Sequence, residues 1–117
     1  MKTSIDPKEY PALAEGFQAL SSPVRVAIVG GLMEREMDVS EIVGMLAGLD
    51  CPCSVERTNV SKHLAVLREA GIVAVDEEGQ RRIYRLALPC LAQAFGCMAA
   101  RGAAGGKSGK GRAECCA

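Results

Sequence analysis

Cys51-Pro52-Cys53 places two thiols one residue apart, just ahead of Arg57-Thr58-Asn59-Val60-Ser61-Lys62-His63, a run rich in cationic, amide and hydroxyl side chains. Neighbouring thiolates hold soft ions well, because the second bond forms with little further loss of entropy, and they can also be oxidised to a bridge. The polar run carries the groups that reach base edges and phosphates in a major groove. Whatever binds or oxidises the sulfurs would strain the segment that reads DNA. The juxtaposition therefore points to a chemically switched DNA contact.

Four further cysteines are present: Cys90 and Cys97, and the terminal pair Cys115-Cys116. Met1 to Asp6 lacks the apolar stretch of a signal peptide and no apolar run approaches the length of a bilayer span, so a cytoplasmic location is expected. In a reducing cytoplasm six cysteines favour metal binding or reversible redox chemistry over structural disulfides. Cys90 and Cys97 also suit plain packing in a core or interface, since an isolated helical cysteine behaves as a small apolar residue. They lie seven residues apart, about 10.5 Å along a helix, too far to share one ion within one helix. Across an antiparallel pairing of two chains, however, Cys90 of one could approach Cys97 of the other.

The elements that must position these groups follow from periodicity and breakers. Leu13, Phe17 and Leu20 mark one face of a first helix over Pro11 to Leu20. Ser21-Ser22-Pro23 reads as a cap followed by proline at an early helical position, opening a second helix through Val24, Ala27, Ile28 and Leu32. Gly30-Gly31 either weakens that helix or admits a close neighbour. A short third helix begins at Asp38-Val39-Ser40, with Ser40 as N-cap and Ile42, Val43, Met45 and Leu46 turned inward. After a loop over Gly48 to Cys53, Val60, Leu64 and Leu67 give the buried face of a fourth helix ending near Gly71. Its other side carries Thr58, Asn59, Lys62 and His63.

Ile72 to Val75 and Ile83 to Leu86 read as strands joined by the turn Asp76-Glu77-Glu78-Gly79-Gln80. Pro89 opens a fifth helix with Leu91, Ala94, Phe95 and Met98 as its apolar stripe. From Arg101 the composition turns to glycine and lysine, the signature of a flexible tail. The expected fold is therefore mainly α with a small β-hairpin, a winged helix-turn-helix of order ααααββα. Residues 1–100 form the DNA-binding and dimerisation domain, and 101–117 a flexible tail ending in Cys-Cys. At 117 residues the core is modest, and a second subunit would help to bury apolar surface.

Net charge is zero, with 14 basic and 14 acidic residues, so only a local basic surface can argue for nucleic acid. Arg57, Lys62 and Arg68 are followed by Arg81, Arg82 and Arg85, whereas Glu34, Glu36, Asp38 and Glu41 make the preceding stretch acidic. The DNA-contacting set is thus Arg57, Thr58, Asn59, Ser61, Lys62 and His63 on the fourth helix, with Arg81, Arg82 and Arg85 on the wing. No paired carboxylates, activated nucleophile or phosphate loop can be assembled, which disfavours an enzyme.

Ser22-Pro23-Val24-Arg25, Val39-Ser40-Glu41-Ile42, the run Asn59 to Val73 and Glu78 to Leu86 resemble, in order, the successive signatures of the ArsR/SmtB family of bacterial winged-helix repressors. The resemblance covers roughly residues 10 to 100. It implies a homodimer that occupies double-stranded operator DNA and releases it when an inducer binds, with no membrane association and no required cofactor. The family commonly has Ser-Gln-Pro ahead of the Asn59 position, whereas this chain has Glu56-Arg57-Thr58. Arg57 then stands near the family's base-contacting glutamine, where arginine suits guanine, although a phosphate contact is the favoured role. His63, the only histidine, resembles the family's DNA-facing histidine and is not read as a metal ligand.

Zinc- and nickel-sensing members of that family use Asp and His on the last helix, which here lacks histidine. Thiolate remains, selecting soft ions: arsenite or antimonite with three sulfurs, cadmium or lead with three or four. A Cys-x-Cys pair near the helix-turn-helix is one recurrent arsenic arrangement in the family. Cys51 and Cys53 are the first choice, completed by Cys115 or Cys116, with Cys90 and Cys97 as an alternative sensing pair. Two other readings stay open: a redox or reactive-sulfur-sensing repressor, and a thiol-rich metal-buffering protein that binds no DNA.

Overall fold

The structure is a computed structural model and describes residues 4–49 and 56–105. A single 3-10 turn, Pro7–Glu9, leads into α1 (Tyr10–Ala19), followed by α2 (Pro23–Glu34), β1 (Met37–Asp38), α3 (Val39–Ala47), α4 (Arg57–Glu69), β2 (Val73–Glu78), β3 (Arg81–Leu86) and α5 (Cys90–Gly105). The strands form one antiparallel sheet in the order β1-β3-β2.

The core lies between α2, α3, α4 and one face of the sheet. Ile28 and Val29 from α2, Ile42 from α3, and Val60, Leu64 and Leu67 from α4 are fully buried, and Ile72 and Val73 close it from the strand side. The i, i+4, i+7 spacing of Val60, Leu64 and Leu67 makes α4 amphipathic and fixes which of its faces is left for other work. Gly71 follows α4 with φ +80°, the left-handed conformation that glycine adopts without a side-chain penalty, and turns the chain into β2.

Ser22 caps α2 as its sequence suggests, its Oγ accepting the Arg25 N–H with Pro23 at the first helical position. Of the two glycines in α2, Gly31 is the one with a packing role. A Cβ there would overlap Met45 Sδ and Met37 Cε, whereas a Cβ at Gly30 would meet nothing. The space at position 31 is thus filled by the flexible ends of two methionine side chains.

Three local expectations are corrected. The N-cap of α3 is Asp38, not Ser40: Asp38 Oδ1 accepts the Glu41 N–H at 2.8 Å and Glu41 Oε1 accepts the Asp38 N–H at 2.9 Å, a reciprocal capping box that starts the helix at Val39. Met37–Asp38 is a strand, pairing Met37 with Tyr84 and Asp38 with Ile83, which a two-residue segment gives too little pattern to reveal. The hairpin turn is only Gly79-Gln80, because Asp76, Glu77 and Glu78 extend β2 opposite Ile83, Arg82 and Arg81. Cross-strand opposite charges favour that register, and Gly79 at φ +62° supplies the turn. The backbone of α5 runs from Cys90 through Gly105.

α1 contributes only Ala19 to the buried core, and its Tyr10, Leu13 and Phe17, at i, i+3 and i+7, are exposed, Phe17 to 70%. On α5, Leu91 and Phe95 pack against the core, but Met98 is 70% exposed. The protomer thus carries apolar helix faces that it does not cover itself.

Candidate nucleic-acid interface

With the core face of α4 fixed, helical geometry sorts the remaining residues into three strips. Thr58 and Lys62 stand farthest from the core and are exposed. Arg57, Ser61, Ala65 and Arg68 recur at i, i+4, i+8 and i+11 on the flank toward the wing. Asn59 and His63, both half-buried, lie on the flank toward α2. The six α4 residues expected to contact DNA are therefore divided among an outer strip and two flanks.

α4 has Glu56 at its N-cap, without a side-chain capping bond. Its first turn is instead tied to α3: Arg57 Nη1 and Nη2 both donate to Ser40 Oγ, at 3.0 and 2.9 Å. Ser40, displaced from the capping role, thereby braces the start of α4. On the opposite flank Arg25 Nε donates to His63 Nδ1 at 3.1 Å, and Arg25 Nη1 donates to the Ala19 carbonyl at 3.3 Å. Burial, and then the positive charge of Arg25, push the His63 pKa below its ordinary value. Because Nδ1 accepts, neutral His63 carries its proton on Nε2.

Between the wing-side flank of α4 and the sheet lies an open groove of about 450 Å³, lined by Ser40, Arg57, Ser61, Arg68, Arg81 and Arg82 among others. Arg68 was outside the expected contact set; its register with Arg57 and Ser61 was the signal that could have placed it there. Among the described residues no carboxylate lies within ion-pair distance of Arg57, Lys62 or Arg68.

The wing arginines differ. On the outer face of the sheet, Arg81 Nη2 lies 2.8 Å from Asp38 Oδ2, and Arg85 Nε donates to Asp76 Oδ2 at 3.0 Å. Arg82 lies more loosely against Glu77, at 3.8 Å. Each expected phosphate-binding cation of the wing thus has an acidic partner on a neighbouring strand or helix. Asp38 is held below the usual carboxylate range by the Glu41 N–H and, after the opposing effect of burial, by Arg81.

Known transcriptional regulators resemble this chain in sequence and in fold. The regulator Rv0081 of Mycobacterium tuberculosis, described as an uncharacterized HTH-type transcriptional regulator, is 38% identical over 84 residues, covering 72% of this chain and 68% of that protein. Its crystal structure superposes with a TM-score of 0.66 at 34% identity, over 82% of this chain and 89% of the other. The transcriptional repressor SmtB of the same organism is 40% identical over 76 residues, 65% of this chain and 51% of its own length. Mb0332 of Mycobacterium bovis, a possible ArsR-family regulator, superposes at TM-score 0.66 and 26% identity, over 86% of this chain and 88% of the other. The chain belongs to the ArsR/SmtB family of winged helix-turn-helix transcriptional regulators. No family model matches it. Its relatives are regulators, a non-enzymatic class. Among the described residues, no helix is long and apolar enough to cross a membrane.

For a member of this family the sensing residues are the next question. Cys51, Cys53, Cys115 and Cys116 lie outside the described residues. Cys90 and Cys97 are both free and exposed on α5, so packing in the protomer's own core does not account for them. Cys97 immediately precedes the exposed Met98, and Cys90 lies about two turns earlier on α5. Among the described residues no three His, Cys, Asp or Glu side chains converge on a possible ion site.

Proposed function

We propose that the protein is a dimeric, DNA-binding repressor that leaves its operator when a thiol-reactive inducer, arsenite or antimonite foremost among soft ions, reaches its cysteines. The observation that carries the DNA-binding half is the outer strip of α4: Thr58 and Lys62 project from a helix braced on one flank by Ser40–Arg57 and on the other by Arg25–His63. A helix held from both sides can enter a major groove with its side chains already placed, so that little ordering cost is left for binding. Arg57, Lys62 and Arg68 supply the cations for phosphate.

A second copy of the chain is the natural cover for Tyr10, Leu13 and Phe17 on α1 and Met98 on α5. The related Mb0332 domain is described as homodimeric in solution. Two copies related by a two-fold axis would read an imperfect palindrome, with half-sites about one helical turn or a small multiple apart.

The sensing half rests on the sulfur chemistry of the sequence. With arsenite, each thiol displaces one hydroxide from arsenic as water, and three such exchanges complete the pyramidal site that As(III) prefers. Cys51 and Cys53 provide two neighbouring sulfurs, and Cys115 or Cys116 the third. The exposure of Cys90 and Cys97 supports a second reading, in which these thiols are oxidised or persulfidated and no metalloid takes part.

A release titration separates the readings. Operator DNA is bound by the reduced protein and challenged with arsenite, cadmium, lead, zinc, peroxide or polysulfide. Release by arsenite, abolished in the Cys51→Ser, Cys53→Ser double variant, is the expected result. Release by peroxide or polysulfide alone, abolished in Cys90→Ser or Cys97→Ser, would replace it with the redox reading. Absence of any protected DNA at low salt would remove both.

A further inference from the structure

The three wing arginines look equivalent in sequence, but Arg81 occupies a distinct position. We propose that Arg81 is a positioning residue, clamping the wing to the first turn of α3 and screening two carboxylates from DNA, and is not itself a phosphate contact. The inference rests on the DNA-binding reading above and deepens it by assigning separate roles within the basic surface.

The geometry is that of a closed network. Asp38 divides its two oxygens: Oδ1 takes the Glu41 N–H inside the capping box, and Oδ2 takes Arg81 Nε at 3.0 Å and Nη2 at 2.8 Å. Glu41 Oε1, already holding the Asp38 N–H, lies 3.8 Å from Arg81 Nη2, while Glu41 Oε2 lies 3.3 Å from Arg35 Nη1. The Asp38 side chain is only 19% exposed, so this contact is better sheltered than a pair at the tip of a loop.

A phosphate seeking Arg81 would have to displace Asp38. Doing so would leave the Asp38 carboxylate uncovered in the groove beside α4, and Glu41 without its second cation, where repulsion of the phosphate would oppose the gain. Kept in place, Arg81 neutralises them and fixes the wing. The same turn of α3 holds α4 through Ser40 and Arg57, two residues after Asp38 holds the wing. One helical turn thereby sets the position of both DNA-contacting elements, with Arg81 as the link on the wing side.

The test measures operator affinity against salt for wild type, Arg81→Gln, Asp38→Asn and the double variant. Asparagine caps a helix about as well as aspartate, so Asp38→Asn removes the charge and spares α3. We expect Arg81→Gln to weaken binding by about two- to fivefold with an unchanged salt slope, and this loss to vanish in the Asp38→Asn background. A fall in slope of about 0.9, the signature of one lost phosphate contact, in both backgrounds would overturn the proposal. Hydrogen exchange of the DNA-free protein provides a readout independent of operator binding. Faster exchange at the β1–β3 pairing in Arg81→Gln supports the clamp even if no operator is bound, and unchanged exchange refutes it.

Discussion

Arg25 Nε donates to His63 Nδ1 at 3.1 Å, joining the second helix to the flank of the fourth through a histidine that must be neutral to accept. The folded protein binds this proton less readily than the unfolded chain, because burial and Arg25 lower the pKa from its ordinary 6.5. This contribution to stability is fully present above about pH 6.5 and is lost as pH falls through that value and on through the lower folded pKa. Asp38 and Glu41, also lowered, act below their ordinary 3.8 and 4.5 and so leave this window clear. Urea midpoints should therefore fall between pH 8 and pH 5.5 in wild type and change less in His63→Gln. Equal slopes in the two proteins would show that His63 does not titrate in this way.

Salt dependence should distinguish the cations of α4 from those of the wing. Lys62→Ala and Arg68→Gln should each flatten the plot of log affinity against log salt by about 0.9. Arg85→Gln, whose guanidinium is engaged by Asp76, should leave that slope nearly unchanged. Filter binding across a salt series is sufficient to measure it.

The two neighbouring glycines of α2 should respond to alanine to different extents. Gly30→Ala meets open space and should stabilise by up to about 1 kcal/mol through helix propensity. Gly31→Ala requires the ends of the Met45 and Met37 side chains to shift, so its propensity gain should be smaller than that of Gly30→Ala. Denaturant unfolding of the two variants checks the ordering.

Phe17→Glu or Met98→Glu should shift the protein toward monomer while retaining helical circular dichroism, since both side chains are 70% exposed in the protomer. Sedimentation equilibrium over a range of concentrations provides the measurement. Dimers of undiminished stability in both variants would show that these residues are not at the subunit contact.

The helices were legible because their cause is local or periodic. Val60, Leu64 and Leu67 repeat at the spacing of a buried helical face, Ser22-Pro23 marks a helix start, and Gly71 marks an end. Part of what escaped depended on partners distant in sequence, and part was a local capping-box signal, Asp38 with Glu41. Met37–Asp38 is a strand only because Ile83 and Tyr84 come alongside, and Asp38 outcompetes Ser40 for the cap because Glu41 answers it three residues on. Asp76 to Glu78 have turn-like composition but pair in a strand with Ile83, Arg82 and Arg81. Within the candidate site, residue types were readable and allegiances were not. The sequence shows Arg81, Arg82 and Arg85 as a basic cluster, but it does not show that each faces a carboxylate, nor that His63 is engaged by Arg25.

Asp38 is at once the last residue of β1 and the cap of α3, so no linker separates sheet from helix. Without slack at that joint, wing and α3 behave as one stiff bracket, and a local pull on either is transmitted to the other. α4, whose first turn lacks a side-chain cap, is moored to that bracket through Ser40 and Arg57. Cys51 and Cys53 stand in the sequence between bracket and mooring. A ligand drawing those sulfurs together would find mechanical ground on one side and the reading helix on the other.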